Sequence, residues 1–390
     1  MKKIEKAKAV IREWLHFKKG EDVILDIILG TISGNIVGKF IIPIWLFIIG
    51  PSGSGKTELL YSIKDHSSVY FISNFTPNSF VSGYSKRGKK ASTGEFSLLP
   101  KIDNKIMVIK DFTTILSLHR DVRREIFGIL RDAFDGQYAK SFGSEAGILN
   151  FISNFGIIAG CTPSIEKYHS IDNDLGERFL QFRLKTDTTL DMVFQALDGS
   201  TSEEKMRKEI SDAMLPCLDI PIPEQAEGIQ FENEGIKNKL CILADIGAKL
   251  RNRVSRDGYD KTLDFLPEPE IGTRLVKQLS KLLYGIALIR EKDKITDDEY
   301  SLAVRIIHDG LGSKHAKVLS YISAHSEKTE YIAQDTKIPY ATVRLVLEDL
   351  QLLNIVTKNS DNWKIIDHFK EALETTKLAD YLIVQYETNF

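Results

Sequence analysis

Gly50-Pro51-Ser52-Gly53-Ser54-Gly55-Lys56-Thr57 is a complete G-x-x-x-x-G-K-T sequence. Before it stands Ile41-Ile42-Pro43-Ile44-Trp45-Leu46-Phe47-Ile48-Ile49, an apolar run of strand length. After it, Glu58-Leu59-Leu60-Tyr61-Ser62-Ile63 reads as the first turns of a helix. Strand, glycine loop and helix in this order define a phosphate loop. Its glycines let the backbone wrap an anion, and amides at the helix N-terminus point at the phosphates. Lys56 is then placed to reach the β- and γ-phosphates, and the Thr57 hydroxyl to ligate magnesium. ATP or GTP with Mg2+ is the expected ligand.

The rest of the chain must house that loop. A length of 390 residues predicts two or three domains with ample core. Hydrophobic content of 43% and charged content of 27% fit a globular protein. The net charge of -2 excludes a bulk polycation, so any nucleic-acid surface is local. Cys161, Cys217 and Cys241 are far apart and odd in number. They suit a reducing compartment and have no zinc spacing, and no His-Glu-x-x-His or Cys-x-x-Cys occurs. No metal beyond nucleotide-bound magnesium is implied. The Lys- and Glu-rich start lacks a signal-peptide core, and the apolar run at 41–49 is too short for a bilayer. A cytoplasmic location without membrane contact is expected.

Four segments are expected. Residues 1–40 form an N-terminal helical segment, with Ile4, Ala7, Ile11 and Leu15 as the stripe of an amphipathic helix over 1–19. Residues 41–185 alternate strand and helix, the pattern of a parallel sheet covered by helices, with further strands at 69–73, 106–109, 155–160 and 179–184. Residues 186–312 read as helical, and 313–390 as a small α+β unit.

A phosphate loop needs an acid beside it for hydrolysis. Lys105-Ile106-Met107-Val108-Ile109-Lys110-Asp111-Phe112 supplies one: four apolar residues lead to a carboxylate at the strand's C-terminal edge. Asp111 is either the magnesium-side acid or the water-polarising acid. Phe155-Gly156-Ile157-Ile158-Ala159-Gly160-Cys161-Thr162-Pro163 is another buried strand ending in small polar residues.

The order of these motifs resembles the AAA+ ATPases, and within them the minichromosome maintenance (MCM) helicases. That resemblance spans roughly residues 45–310 and implies an AAA+ phosphate-loop sheet with a helical lid. Thr162 falls on "sensor 1", on a strand lying between the phosphate-loop strand and the acidic strand; Asn154, at the strand's other end, is the weaker choice. Leu175-Gly176-Glu177-Arg178-Phe179-Leu180-Gln181-Phe182 resembles the family's Ser-Arg-Phe-Asp segment. Arg178 is therefore the expected trans arginine finger, a role for an always-charged bidentate guanidinium. Thr93-Gly94-Glu95-Phe96-Ser97-Leu98-Leu99-Pro100 looks like the segment before the family's Asp-Glu-Phe, so Lys110 replaces the Asp and Asp111 sits on the Glu. Residues 131–163 look like the pre-sensor hairpin. Gly272-Thr273-Arg274-Leu275-Val276-Lys277-Gln278-Leu279 looks like the lid, with Arg274 on "sensor 2". Thr296-Asp297-Asp298-Glu299-Tyr300 has the capping-box pattern. Replication-type ATPases of phages and other mobile elements are similar too. They share the Lys-Asp-Phe-Thr strand and the Pro-x-Pro-Glu…Thr-Arg-Leu lid.

The resemblance implies DNA contacts facing a ring's pore: Lys86, Arg87, Lys89 and Lys90 in a basic loop, and Lys140 near the hairpin tip. Such lysines grip phosphates without reading bases. Arg251, Arg253 and Arg256 read as a solvated helix face or subunit contact. Residues 313–367 look like a winged helix, with Pro339 opening its third helix and a wing hairpin turning at Asn359-Ser360-Asp361-Asn362. Its third helix presents Tyr340, Thr342 and Arg344 to a major groove. Glu348 and Asp349 on the same helix fit protein docking equally well. Two functions follow: an ATP-driven homo-oligomeric ring, hexameric by the resemblance, that acts as a DNA helicase of a mobile element; or an ATP-dependent switch, an initiator or helicase loader, without unwinding.

Overall fold

The apolar runs of the first half of the chain pair side by side. The computed structural model describes residues 2–15, 17–37, 42–82, 97–141, 148–168, 177–186, 202–219, 229–257 and 259–387. The chain divides into two compact units: Met1–Tyr168, Asp172–Gln230 and Lys281–Lys294 form the first, His169–Ile171, Phe231–Ser280 and Ile295–Phe390 the second.

The first unit starts with helices α1 (Lys3–Trp14) and α2 (Ile24–Val37). Strand β1 (Trp45–Ile49) leads through the glycine loop into α3 (Lys56–Tyr61). Then come β2 (Val69–Ile72), β3 (Ile106–Ile109) and α4 (Arg120–Phe134). A hairpin of β4 (Gln137–Ser141) and β5 (Ile148–Ile152) precedes β6 (Gly156–Cys161), β7 (Phe179–Arg183) and α5 (Glu203–Met214). Five strands make one sheet in the order β2-β3-β6-β1-β7, every pairing parallel. A parallel sheet is covered on both faces, so its strands carry unbroken apolar runs rather than alternation. The four later expected strands start and end within about a residue of the observed ones, inside the usual scatter of element ends, whereas the first begins only at Trp45, after Pro43. This is an α/β architecture compatible with a phosphate-loop NTPase fold.

Alternation across β6 separates the two faces. Ile157, Ala159 and Cys161 belong to a core shared with Ile126, Phe127, Leu130 and Phe134 of α4. Trp45 anchors it: the ring meets Phe134 edge-on at 4.9 Å, and its Nε1 donates to the Phe155 carbonyl at 2.9 Å. Burying a side chain of this class contributes about 1.5–3 kcal/mol over leaving it exposed. On the opposite face, a Cβ on Gly156 would strike Asn35 of α2, and one on Gly160 would press on Leu60 of α3. Asn35 ties α2 to the strand entry, since its Oδ1 accepts from Ile44 N at 2.9 Å and its Nδ2 donates to Ile44 O at 3.0 Å. The stripe read for the N-terminal helix is buried: Ile4, Ala7 and Ile11 are covered, and α1 packs on α2 and α5. Lys8 of α1 and Arg290 close on the fully buried Asp26 of α2, both at 2.8 Å.

The second unit contains α6 (Glu234–Arg251), the first residues of α7 (Thr273–Ile289) and α8 (Asp297–Gly310). The capping box expected at Thr296 and Glu299 opens α8. Beyond lie α9 (Ser313–Ala324), the short strand β8 (Glu327–Lys328), α10 (Thr329–Thr336) and α11 (Tyr340–Leu352). The hairpin of β9 (Val356–Asn359) and β10 (Asn362–Ile365) follows, then α12 (Asp367–Thr375) and α13 (Leu378–Glu387). The three strands pair antiparallel in the order β8-β10-β9, and the turn falls at the expected residues.

The three arginines read as a solvated helix face or subunit contact make their contacts within this unit, so they are not a solvated face. Arg251 is buried and faces Glu270, and its stem lies against Gly310. The Arg253 guanidinium reaches His315 Nδ1 at 3.1 Å. Arg256 closes on Asp349 of α11 at 2.7 Å and on Glu348 at 3.5 Å. A helical end followed by packed loop, rather than a continuing helix, turns these side chains inward. No helix among the described residues is long and apolar enough to cross a membrane.

Candidate functional site

The C-terminal edge of the sheet carries the candidate site. Gly53 and Gly55 sit at φ 79° and 80°, the left-handed region that a glycine enters without strain. With those two angles the residues between β1 and α3 curl around the Lys56 side chain. Lys56 Nζ donates to Gly50 O at 2.7 Å, Pro51 O at 2.6 Å and Ser54 Oγ at 3.0 Å. Burial lowers the pKa of Lys56, while the charge of Asp111 works in the opposite direction. An ammonium held by neutral oxygens is poised to exchange them for an anion. Ser52 lies exposed in the loop and Thr57 stands half-buried in the first turn of α3.

Two strands adjoin the loop. Gly50 N donates to Cys161 O at 3.1 Å, which fixes the loop to the end of β6. Phe112 N donates to Gly160 O at 2.8 Å, which fixes the acidic segment to the same strand. Asp111 is half-buried, and its Oδ1 accepts from Thr113 N at 2.9 Å. Its Oδ2 has no hydrogen-bond partner among the described residues. Thr162 stands just past β6. Its N–H donates to Thr113 Oγ1 at 3.2 Å, and its hydroxyl lies 3.4 Å from Thr113 Oγ1 and 2.6 Å from Ser164 Oγ. The Cys161 thiol, pushed up to about 12 by burial, stays protonated and lies 3.9 Å from Thr113 Oγ1. Lys56, Asp111 and Thr162 are thus brought together, and Thr113 links the last two.

Lys110 does not turn into this edge. Its side chain is exposed, with Nζ 5.6 Å from the Tyr61 ring centroid. No group of three or more His, Cys, Asp or Glu among the described residues could hold a metal by itself. The donor chemistry of Thr57 and Asp111, one hydroxyl and one carboxylate, fits a magnesium that would keep waters and take phosphate oxygens for its remaining positions.

The N-terminal segment forms part of the surround. A Cβ on Gly55 would meet the Phe17 ring at 3.5 Å and the Leu15 side chain at 3.6 Å. Phe17 bridges Thr186 in antiparallel fashion, and Lys185 N donates to Glu21 Oε2 at 3.1 Å. On the other side of α3, Arg207 of α5 forks onto Glu58 at 2.7 and 3.0 Å. Thr113 was present in the Lys-Asp-Phe-Thr pattern without a role. Leu15 was read only as the end of the apolar helix stripe and Phe17 carried no sequence signal, because it is the bridge of Phe17 to Thr186 that brings this segment to the loop.

Other expected residues are not at this edge. Arg178 stands at the N-terminal end of β7, whose Phe179 is in register with Trp45 rather than with Ile49. That is about 16 Å of strand away from the loop side. It is buried at 9% exposure, lies 5.4 Å from the Phe134 ring centroid, and pairs with Asp135 at 3.9 Å. As folded in one chain it does not protrude as a finger must. Asn154 is likewise on the far edge, where its N–H donates to Asp103 Oδ1 at 2.9 Å. Lys140 faces α4 and pairs with Glu125 at 3.4 Å, so it is not a free lysine at a tip. Lys86, Arg87, Lys89 and Lys90 lie outside the described residues.

In the second unit, Arg274 occupies the first turn of α7, and its guanidinium is held by Glu270. On α11, Tyr340 is exposed and Thr342 half-buried. Arg344 is exposed and pairs with Glu348 at 3.5 Å. No protein-family model matches the chain, and no curated protein matches it.

Proposed function

We propose that the chain is an ATP-hydrolysing enzyme of the AAA+ type, similar to the MCM-like helicases of mobile genetic elements, with a winged helix at residues 313–367. The observation that carries this is the strand order: β6 lies between β1 and β3, so Lys56, Asp111 and Thr162 meet at one edge. That is the arrangement on which the sensor-1 resemblance depends. The order of helices and strands from α9 to β10 supports the winged-helix reading.

In this reading the glycine loop cradles the triphosphate of ATP, and Lys56 leaves its carbonyls for the β- and γ-phosphates. Thr57, with Asp111 in one of its two roles, would hold Mg2+, which would neutralise charge on the phosphate oxygens. Asp111 either completes that shell or polarises the attacking water. Weakened magnesium dependence in Asp111→Asn assigns the first role; lost turnover at unchanged magnesium dependence assigns the second. Thr162 orients the γ-phosphate or the water, and Thr113 holds Thr162. Arg178, after release from Phe134 and Asp135, reaches a neighbour's site in a homo-oligomeric, hexameric ring. DNA is the polymer acted upon.

Strand displacement on a forked duplex tests the motor. Unwinding with ATP by the wild-type chain and none by Lys56→Ala is the expected result. ATPase activity without unwinding, with site-specific footprints, sinks it. That outcome belongs to the second reading, a replication initiator or helicase loader that uses ATP as a switch. A specific observation favours this alternative: Arg178 and Lys140, two groups a ring motor would use, are engaged within their own chain.

A further inference from the structure

Three cations of the first unit gather on one aromatic ring at the border of the parallel sheet. Strand alternation sends Phe71 of β2 and Lys110, the residue after β3, to the face that α3 covers, since Tyr70, Ile72, Met107 and Ile109 pack into the core on the other side. Tyr61, the last residue of α3, stacks on Phe71 with ring centroids 5.2 Å apart and planes 14° from parallel. Around the Tyr61 centroid stand Lys110 Nζ at 5.6 Å, Lys64 Nζ at 5.9 Å and the Arg207 guanidinium at 5.5 Å. A ring attracts a cation, but cations gathered on one ring repel each other. Arg207 has its counter-charge in Glu58, onto which it forks, and in Glu203 at 3.6 Å. Lys64 and Lys110 are both exposed, and neither pairs with a carboxylate among the described residues. Two ammonium groups therefore face one ring without an anion between them, on the border strand's side of the sheet.

A free ion gains little from exposed lysines, because water and salt screen each pair. A polyanion gains more, since every phosphate it brings to a lysine releases condensed counterions. An open cationic surface beside aromatic rings is what a flexible strand can track. We propose that Lys64 and Lys110, gathered on Tyr61, are a contact for the phosphate backbone of a single-stranded nucleic acid. The contact rests on the reading of DNA as the polymer acted upon, and it involves neither the basic loop at 86–90 nor Lys140. Two ammonium groups hold phosphates and read no bases. Lys110, which replaces an acid in the resemblance, thereby has a use of its own, and a strand held by it lies beside Asp111.

The test is fluorescence anisotropy of a labelled oligothymidylate with the full chain, without nucleotide, over a series of chloride concentrations. Lys64→Gln combined with Lys110→Gln should flatten the slope of log affinity against log salt by about 1.4, the loss of two single-strand contacts. Each single variant should give about half of that change, and either serves if the pair fails to fold. Lys64→Arg combined with Lys110→Arg keeps both charges and should keep the slope. If the cations only cover the Tyr61 ring, the glutamine pair lowers the urea midpoint at an unchanged slope, and the contact is overturned. Inorganic phosphate in place of chloride at constant ionic strength should leave the wild-type affinity as it is. Displacement of the strand by phosphate from the wild type, but not from the glutamine pair, assigns the lysines to a free ion and overturns the strand. The underlying reading fails separately: if the wild type binds neither single-stranded nor duplex DNA, DNA is not the partner and the contact falls with it. If the wild type binds with a steep slope that the glutamine pair retains, the contact alone falls.

Discussion

At the C-terminal end of the parallel sheet, charged side chains rest on neutral partners: Lys56 on two carbonyls and a hydroxyl, Asp111 on one backbone N–H. At the N-terminal end, Arg178 is buried against an aromatic ring and paired with an opposite charge. The same sheet carries both ends. The difference teaches where ligand chemistry is prepared in one folded chain and where it needs a rearrangement first. An ammonium held only by neutral oxygens gains a full opposite charge when it exchanges them for phosphate, so these contacts are surrendered readily. A buried cation with a carboxylate and a ring is not so easily drawn out.

The largest effect should fall on the prepared end. Lys56→Ala should lower ATP turnover by about 10²-fold or more, as loss of a charge-stabilising group does at a preorganised site. Because the burial of Lys56 already disfavours its charged form, this variant should change stability by no more than about 0.5 kcal/mol in urea unfolding. Turnover within a few-fold of wild type would break the comparison at its stronger side.

Arg178→Ala should behave in the opposite way. Removal of a guanidinium from over Phe134 and beside Asp135 should destabilise the first unit by about 1–2 kcal/mol. Nucleotide binding should survive. If Arg178 also acts in trans, mixing Arg178→Ala with Asp111→Ala chains should restore part of the lost activity at mixed interfaces. A stability loss with no complementation leaves Arg178 as a core residue and removes the finger.

Thr113→Val sharpens the prepared end at finer scale. Valine keeps the volume and deletes the hydroxyl that meets Thr162 N at 3.2 Å. Turnover should fall about tenfold, the equivalent of about 1.4 kcal/mol of barrier, with nucleotide affinity unchanged. Equal losses in affinity and turnover would mean that Thr113 only shapes the loop.

How legible these features were in sequence follows from their range. The strands were legible because a sheet buried on both faces writes continuous apolar runs. The phosphate loop was legible because its glycines serve backbone angles that other residues avoid. The second N-terminal helix, α2, was not separable from its segment. Its apolar residues run all around it and leave no stripe. The contact of Phe17 with Gly55 depends on a bridge to Thr186, which no local pattern announces. Arg178 was placed by a motif, and a motif does not say whether its side chain is covered. Lys140 shows the same limit, because strand register decides the face of a side chain and the sequence around it does not reveal the register.

That last residue gives the smallest effect. Lys140 is in register with the buried Leu149, and it shares that inward face with Tyr138 and Phe151. It pairs with Glu125 while keeping 24% exposure. A lysine spent on such a pair neutralises no DNA phosphate. Lys140→Gln should therefore leave the slope of log affinity against log salt unchanged, where loss of one true phosphate contact would flatten it by about 0.7–0.9. The exposed pair itself contributes about 0–1 kcal/mol, so stability should barely move. A slope reduced by a full contact would show that the hairpin turns Lys140 outward when DNA is bound. The hairpin, like the N-terminal end of β7, would then hold a group that changes partner on assembly.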